Sequence, residues 1–227
     1  KKYLPWQNSW GISTRLIGAV VMIHSDDKGL VLPPRVSPLH AVIVPIYSAE
    51  NKGNILKKAN EIKNELKSYN ILLDDRDEYK PGWKYNEWEL KGVPLRIEIG
   101  PKDMAKKQVV LVRRDNNKKE FVKLSQLDKE IKDTLEDIQN NLFNKAKSFL
   151  NSNIVSSTSF NDFLKQIKNK KLVKAFFCGN IKCEELIKDK TQGATSRLIP
   201  FQQPRKTGKC IHCNKEGKFL VIFGKAY

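Results

Sequence analysis

Apolar residues recur along this chain with two different periods, and the period changes where turn residues fall. From residue 41, AVIVPI is an unbroken apolar run of strand length. Over 54–69, Ile55, Leu56, Ala59, Ile62 and Leu66 return at helical spacing. A second short strand is expected at 71–73. Pro81 suits the first turn of a helix over 81–90. Leu95, Ile97 and Ile99 then alternate with Arg96 and Glu98, the pattern of a strand with one face buried. Two more strands, 108–114 and 119–124, flank the polar turn RDNNKK and read as a hairpin. Ser125 is placed to cap a long helix whose stripe is Leu127, Ile131, Leu135, Ile138, Leu142, Ala146 and Phe149. Strands alternating with helices imply an α/β fold, a mixed sheet with parallel pairs covered by helices.

The flanks read differently. TRLIGAVVMIH, 14–24, is apolar on nearly every side, as a helix buried all round would be. Residues 1–38 cannot supply those surroundings, so they read as the tail of a larger domain. The chain enters abruptly at KKYLPWQNSW without a methionine, which implies further sequence upstream. Pro33, Pro34 and Pro38 then break regular structure, and the first boundary is placed there. The α/β unit spans 39–150. After a softer junction at 152–159, Ser159 opens a helix, with Asp162 at the capping-box position and Phe163, Leu164 and Ile167 facing inward. LVKAFF and FLVIF are strands, so 151–227 reads as a small α+β domain.

Composition narrows the partners. Of 227 residues, 42 are Lys or Arg and 25 Asp or Glu, a net charge of +17. Such a field favours a polyanion, with nucleic acid first and an anionic membrane surface second. A lysine-rich surface with no partner is the bland alternative. No segment approaches the ~20 apolar residues of a membrane span, and no signal core is present. A cytoplasmic, membrane-free protein is expected. Between 74 and 103, Trp83, Tyr85 and Trp88 lie among Lys80, Lys84 and Lys91. That mixture suits single-stranded nucleic acid: rings stack on bases, lysines hold phosphate, and Glu87 or Glu89 can accept bonds from base edges. A surface helix with two buried tryptophans explains the same residues, and Trp83 and Trp88 are assigned to the core.

Four cysteines fall in two pairs, Cys178 with Cys183 and Cys210 with Cys213. Two pairs of thiolates on tight turns can hold Zn2+ tetrahedrally. Four buried or free cysteines are the alternative, and a reducing compartment favours metal over disulfides. Four sulfurs would leave no open position for water, so this zinc is expected to be structural, folding a domain that has few strong apolar runs. His212, between the last two cysteines, is expected to point outward. His24 and His40 have no evident partner.

The stretch PGWKYNEWELKGVPLRIEIGPKD, 81–103, resembles the anticodon-binding domain of the prolyl-tRNA synthetases. SWGISTR, 9–15, resembles motif 3 of class II aminoacyl-tRNA synthetases, and IHSDDKGLVLPP continues the likeness. RLIPF at 197–201 and the terminal FGKAY agree with the same family, in its eukaryote-like branch. The resemblance implies a catalytic-domain tail, an anticodon-binding domain and a zinc-binding C-terminal domain. It implies that Arg15 lies over the adenine of ATP, that Ser13 contacts ATP, and that Ser9 and Gly11 line a proline pocket. Ser13 stands where threonine is common in the family, and Ser25 where glycine is expected. Glu78, Lys84, Glu89 and Lys91 become candidates for reading anticodon guanines. The carboxylate of Tyr227 would return toward the active site. The whole enzyme would use L-proline, ATP with Mg2+ and tRNA(Pro), as a homodimer. This portion alone is expected to be inactive. The rival reading is a non-catalytic RNA-binding zinc module over 39–227.

Overall fold

The computed structural model describes residues 3–226. Tyr227, expected to carry a functional carboxylate, lies outside the described residues. The chain divides into two compact units, one ending at Ala146 and the other beginning at Lys147.

In the first unit, β1 (Ala41–Pro45), β2 (Ile71–Leu73), β3 (Leu95–Ile99), β4 (Gln108–Arg113) and β5 (Lys119–Lys123) form one sheet in the order β2-β1-β3-β4-β5. β1 runs parallel to β2 and β3, while β3–β4 and β4–β5 are antiparallel. The mixed α/β sheet is as the apolar pattern implied. Because side chains alternate along β1, Ala41 and Ile43 face one way and Val42 and Val44 the other. Ile55, Ala59 and Ile62 of α2 (Lys52–Glu65) cover the first face, together with Leu127, Ile131 and Leu135 of α5 (Leu127–Ser152). Trp88, on α3 (Pro81–Leu90), covers the second.

Some expectations needed correction. Residues 124–126 form a 3-10 turn, so Ser125 lies inside that turn and does not cap α5. The buried stripe of α5 stops at Leu142, and Phe149 is exposed. All five residues of β3 are buried, Arg96 and Glu98 included, because these two pair with each other. A short helix, α4 (Pro101–Ala105), was not anticipated.

The stretch at 14–24 does form a helix, α1 (Arg15–His24), but none of its residues is buried. Residues 25–38 make contacts with α3 and with the residue that follows β4. Leu30 N–H donates to Leu90 O (3.0 Å), and Arg114 holds the carboxylate of Asp26 through both Nη atoms (2.6 and 2.8 Å). This crossing needs glycine. Gly92 has φ +72°, and a Cβ there would lie 2.6 Å from Leu30 Cβ. His40 finds the partner that its sequence context did not reveal: its Nδ1 accepts from Asn70 N–H at 3.0 Å.

The second unit has a four-stranded sheet in the order β6-β7-β9-β8, built from β6 (Ile154–Ser156), β7 (Leu172–Phe177), β8 (Ala194–Leu198) and β9 (Phe219–Lys225). Phe163 and Ile167 of α6 (Phe160–Lys168) and Ile187 of α7 (Ile181–Thr191) pack on Val173, Ala175, Phe177, Val221 and Phe223. Ser159 caps α6 as expected, its Oγ accepting from Asp162 N–H. The junction near 152–159 contains β6, whose three residues are too few to show a period.

Candidate nucleic-acid interface and metal centre

The loop between β2 and α3 and the first turns of α3 carry the candidate interface. Asp74 leaves the end of β2 with its carboxylate fully buried. Three side chains converge on it. Arg76 donates through Nε and Nη2 (2.8 and 2.7 Å), and Trp88 donates its indole N–H (2.8 Å). Lys84 Nζ lies 3.6 Å from the carboxylate and donates to Asp74 O at 3.0 Å. Burial alone would raise the Asp74 pKa, but the bonds from Arg76 and Trp88 outweigh it and hold the carboxyl at about 2.

Arg76 connects this buried knot to the surface. It also pairs with Glu87, which accepts from Lys91 at 2.7 Å. The Arg76 guanidinium lies 5.0 Å from the Tyr79 ring and 5.6 Å from the Trp83 ring. Those two rings stack on each other, centroids 3.8 Å apart and planes 11° from parallel. Trp83 is 46% exposed. The core assignment therefore holds for Trp88 and fails for Trp83, which projects from the first turn of α3 while Trp88, five residues on, turns inward.

The four anticodon candidates fall into different environments. Glu78 is exposed. Lys91 is half exposed, with Nζ 4.5 Å from the Trp88 ring. Glu89 pairs with Arg96 at 3.0 Å. Lys84 is 2% exposed, so it does not reach the surface and acts here as the counter-charge of Asp74. No spacing in the sequence singles out Arg76 and Tyr79, because their proximity to Trp83 depends on how the loop folds back. Of the residues expected to belong to motif 3, Ser9, Gly11 and Ser13 lie in a segment without regular structure, and Arg15 opens α1; all four are exposed.

In the second unit the four cysteines come together, with every Sγ within 4.8 Å of the others and Cys213 Sγ 3.9 Å from Cys178 Sγ. A tetrahedron with metal–sulfur bonds of ~2.3 Å has edges of about 3.8 Å, so the donor set fits one soft or borderline cation. Cys178 directly follows β7, and Cys183 sits in the first turn of α7 rather than on a tight turn of its own. Cys210 and Cys213 lie on a turn in which Asn214 N–H donates to Cys210 O (3.0 Å) and Cys210 N–H to Lys215 O (2.7 Å). Burial pushes the Cys183 thiol up to about 12, and its sulfur neighbours add to this. Burial also raises Cys210, but backbone N–H groups, those of Cys213 and His212 foremost, outweigh it and bring that thiol to about 7. Four crowded sulfurs cannot all ionise without a cation among them. His212 does not point freely outward: it packs edge-on against Phe160, with Nε2 3.4 Å from Lys190 Nζ.

Comparison with known proteins matches a family to each of the two units. Residues 40–134 match the family "Anticodon binding domain", and residues 160–227 match "Prolyl-tRNA synthetase, C-terminal". The chain is 47% identical over 222 residues to "Proline--tRNA ligase 2" of Bacillus thuringiensis (strain Al Hakam), covering 97% of this chain and 46% of the relative. It is 46% identical over 235 residues to "Proline--tRNA ligase" of Natranaerobius thermophilus, covering 100% of this chain and 47% of that relative. The chain thus spans about half the length of the relatives it matches. An anticodon-binding α/β unit followed by a cysteine-clustered lobe defines the C-terminal part of an aminoacyl-tRNA synthetase. Within that class the chain belongs to the prolyl-tRNA synthetase family, as its C-terminal portion.

Proposed function

We propose that this chain supplies anticodon recognition, a structural zinc lobe and the motif 3 side of the ATP and proline site to a cytoplasmic, homodimeric proline–tRNA ligase. In the reaction, the proline carboxylate attacks the α-phosphorus of ATP and displaces pyrophosphate. The 3′-terminal ribose hydroxyl of tRNA then attacks the prolyl carbonyl and releases AMP. Arg15 would stack on adenine and face the phosphates, since guanidinium can do both. Ser13 would contact ATP, and Ser9 and Gly11 would line the proline pocket. ATP would bring Mg2+. Positioning and charge stabilisation carry such a step. Cys178, Cys183, Cys210 and Cys213 would hold Zn2+, which stiffens the lobe.

The observation that carries this reading is the anchored platform around Arg76. A buried carboxylate fixes the guanidinium, and the guanidinium lies beside an exposed pair of stacked rings. Such a platform is preorganised for an unpaired base, with Glu78 and Lys91 in reach of the surface to accept from guanine N1 and N2 or donate to O6. Glu89 would contribute by fixing Arg96, and Lys84 by fixing Asp74.

The test is binding of this chain to tRNA transcripts carrying the proline anticodon and to transcripts with its guanines replaced. A loss of tenfold or more on replacement is expected, and equal affinity for both would exclude anticodon reading. By itself the chain should show no proline-dependent ATP–pyrophosphate exchange, because α1 and the segment before it are exposed rather than set in a pocket.

A further inference from the structure

Charge is divided unevenly along the chain. Residues 148–226 contain fifteen Lys and Arg against five Asp and Glu, an excess of ten out of +17 for the whole. In the first unit, cations are spent on internal pairs such as Arg76–Asp74, Arg96–Glu98, Arg113–Asp115 and Arg114–Asp26. Over 148–226, no Lys or Arg is ion-paired to a carboxylate among the described residues. A lobe of this size with unneutralised like charges repels itself, and that cost is removed by a polyanion.

The cations are not all equivalent. Arg205, Lys206, Lys209, Lys215 and Lys218, all exposed, fall in the stretch 205–218 that carries Cys210 and Cys213, against a single acid in that stretch, Glu216. Lys209, Lys215 and Lys218 lie on or beside a hydrogen-bonded turn. Lys209 and Glu216 form a small antiparallel bridge, closed by Gly217 N–H donating to Gly208 O at 2.8 Å. A Cβ on Gly208 would lie 2.3 Å from the Phe176 ring, so the bridge rests directly on β7. Gln203 ties the preceding loop to β9, donating to Leu220 O and accepting from Leu220 N–H. This loop carries Phe201 fully into solvent, beside Ile199 and Leu198. Rigid bases with an exposed ring are what a nucleic-acid backbone with an accessible base requires.

We propose that this tip of the second unit is a second RNA-contact surface, which takes backbone phosphates outside the anticodon loop and stacks Phe201 on an accessible base. RNA is favoured over an anionic membrane because the same chain carries an anticodon-binding unit, so tRNA bound there would present its backbone at high effective concentration. To that extent the inference rests on the reading of the first unit.

The experiment compares two variants of the whole 227-residue chain, loaded with Zn2+, that remove equal charge. The tip variant carries Arg205→Gln, Lys206→Gln, Lys215→Gln and Lys218→Gln. The control carries Lys165→Gln, Lys168→Gln, Lys170→Gln and Lys225→Gln. Lys168, Lys170 and Lys225 of the control flank the opposite end of the sheet, where β7 begins and β9 ends. Affinity for a proline-anticodon tRNA transcript is read between about 50 and 200 mM salt, with hydroxyl-radical footprints of the RNA.

The tip variant should bind about tenfold more weakly, flatten the log–log salt slope by about 2, and lose protections outside the anticodon loop while keeping those within it. The control should lose no more than about threefold in affinity. Equal losses in both variants would reduce the effect to net charge and overturn the proposal. So would a wild-type footprint confined to the anticodon loop, or wild-type binding to phosphatidylserine vesicles in preference to tRNA. Zinc content and circular dichroism verify that each variant is folded. Failure of anticodon reading shows separately, as wild-type indifference to the guanine replacements.

Discussion

Asp74 concentrates the chemistry of the first unit on one buried carboxylate. Replacing it with Asn would leave Lys84 buried without its counter-charge, at a cost of about 3 kcal/mol or more in stability. Urea denaturation of Asp74→Asn measures this directly. The group also gives the unit a pH dependence of definite sign. Its folded pKa of about 2 lies below the ordinary value of 3.8, so the fold favours the ionised form. The stabilisation, about 2 kcal/mol from this group, is complete above about pH 4 and is lost as pH falls toward 2. Stability that stayed flat from pH 5 to about 2 would contradict this. Trp83 behaves oppositely, because it is exposed, stacks on Tyr79 and lies beside the Arg76 guanidinium. Trp83→Ala should change stability by under ~1 kcal/mol yet weaken tRNA binding by about tenfold, as expected for removing one base-stacking face. Two tryptophans five residues apart thus take unlike roles, and composition alone placed both in the core.

At the scale of single elements, α3 ends in a turn that only glycine completes. Gly92→Ala would meet Leu30 at 2.6 Å and force a positive φ on a residue with a Cβ, for a loss of about 2 kcal/mol or more. Gly82→Ala, in the same helix with open space around it, should be neutral or stabilising by up to about 1 kcal/mol. Thermal melts of the two variants should therefore move in different directions or by clearly different amounts. Most elements were legible because their apolar spacing is clean: α2, α3, α6, β3, β4, β7 and β9 fall where the periods put them. The misses have local causes. α7 begins at a cysteine pair that reads as a turn, and β8, ATSRL, shows no alternation because Ser196 bonds inward to Glu184. In β3 the period was right but the burial was not, since Arg96 and Glu98 are buried by satisfying each other and by Arg96 lying 4.1 Å over the Tyr85 ring.

Taken whole, the molecule is two units with separate cores and separate means of staying folded. The first has an extensive two-faced core of strands and helices. The second is smaller, and two residues of its buried core, Cys183 and Cys210, belong to the sulfur cluster. If the cluster holds the proposed Zn2+, chelation should unfold the second unit while the first keeps its transition, so that calorimetry of the chelated chain shows one transition lost. Two unchanged transitions, with zinc measured as absent, would deny the metal a structural part. No helix among the described residues is long and apolar enough to cross a membrane.

The sequence by itself determined the α/β class, the order of most strands and helices, the resemblance to a synthetase family and two cysteine pairs able to form one donor set. These follow from short-range period and from residue chemistry that survives without coordinates. Only the tertiary structure decided which charges face outward. Lys84 and Lys91 look alike in the chain, but one is swallowed as the partner of Asp74 and the other stays at the surface. It also decided that Arg76, Tyr79 and Trp83 form one platform, because a loop folding back on a helix brings together residues that no periodicity relates.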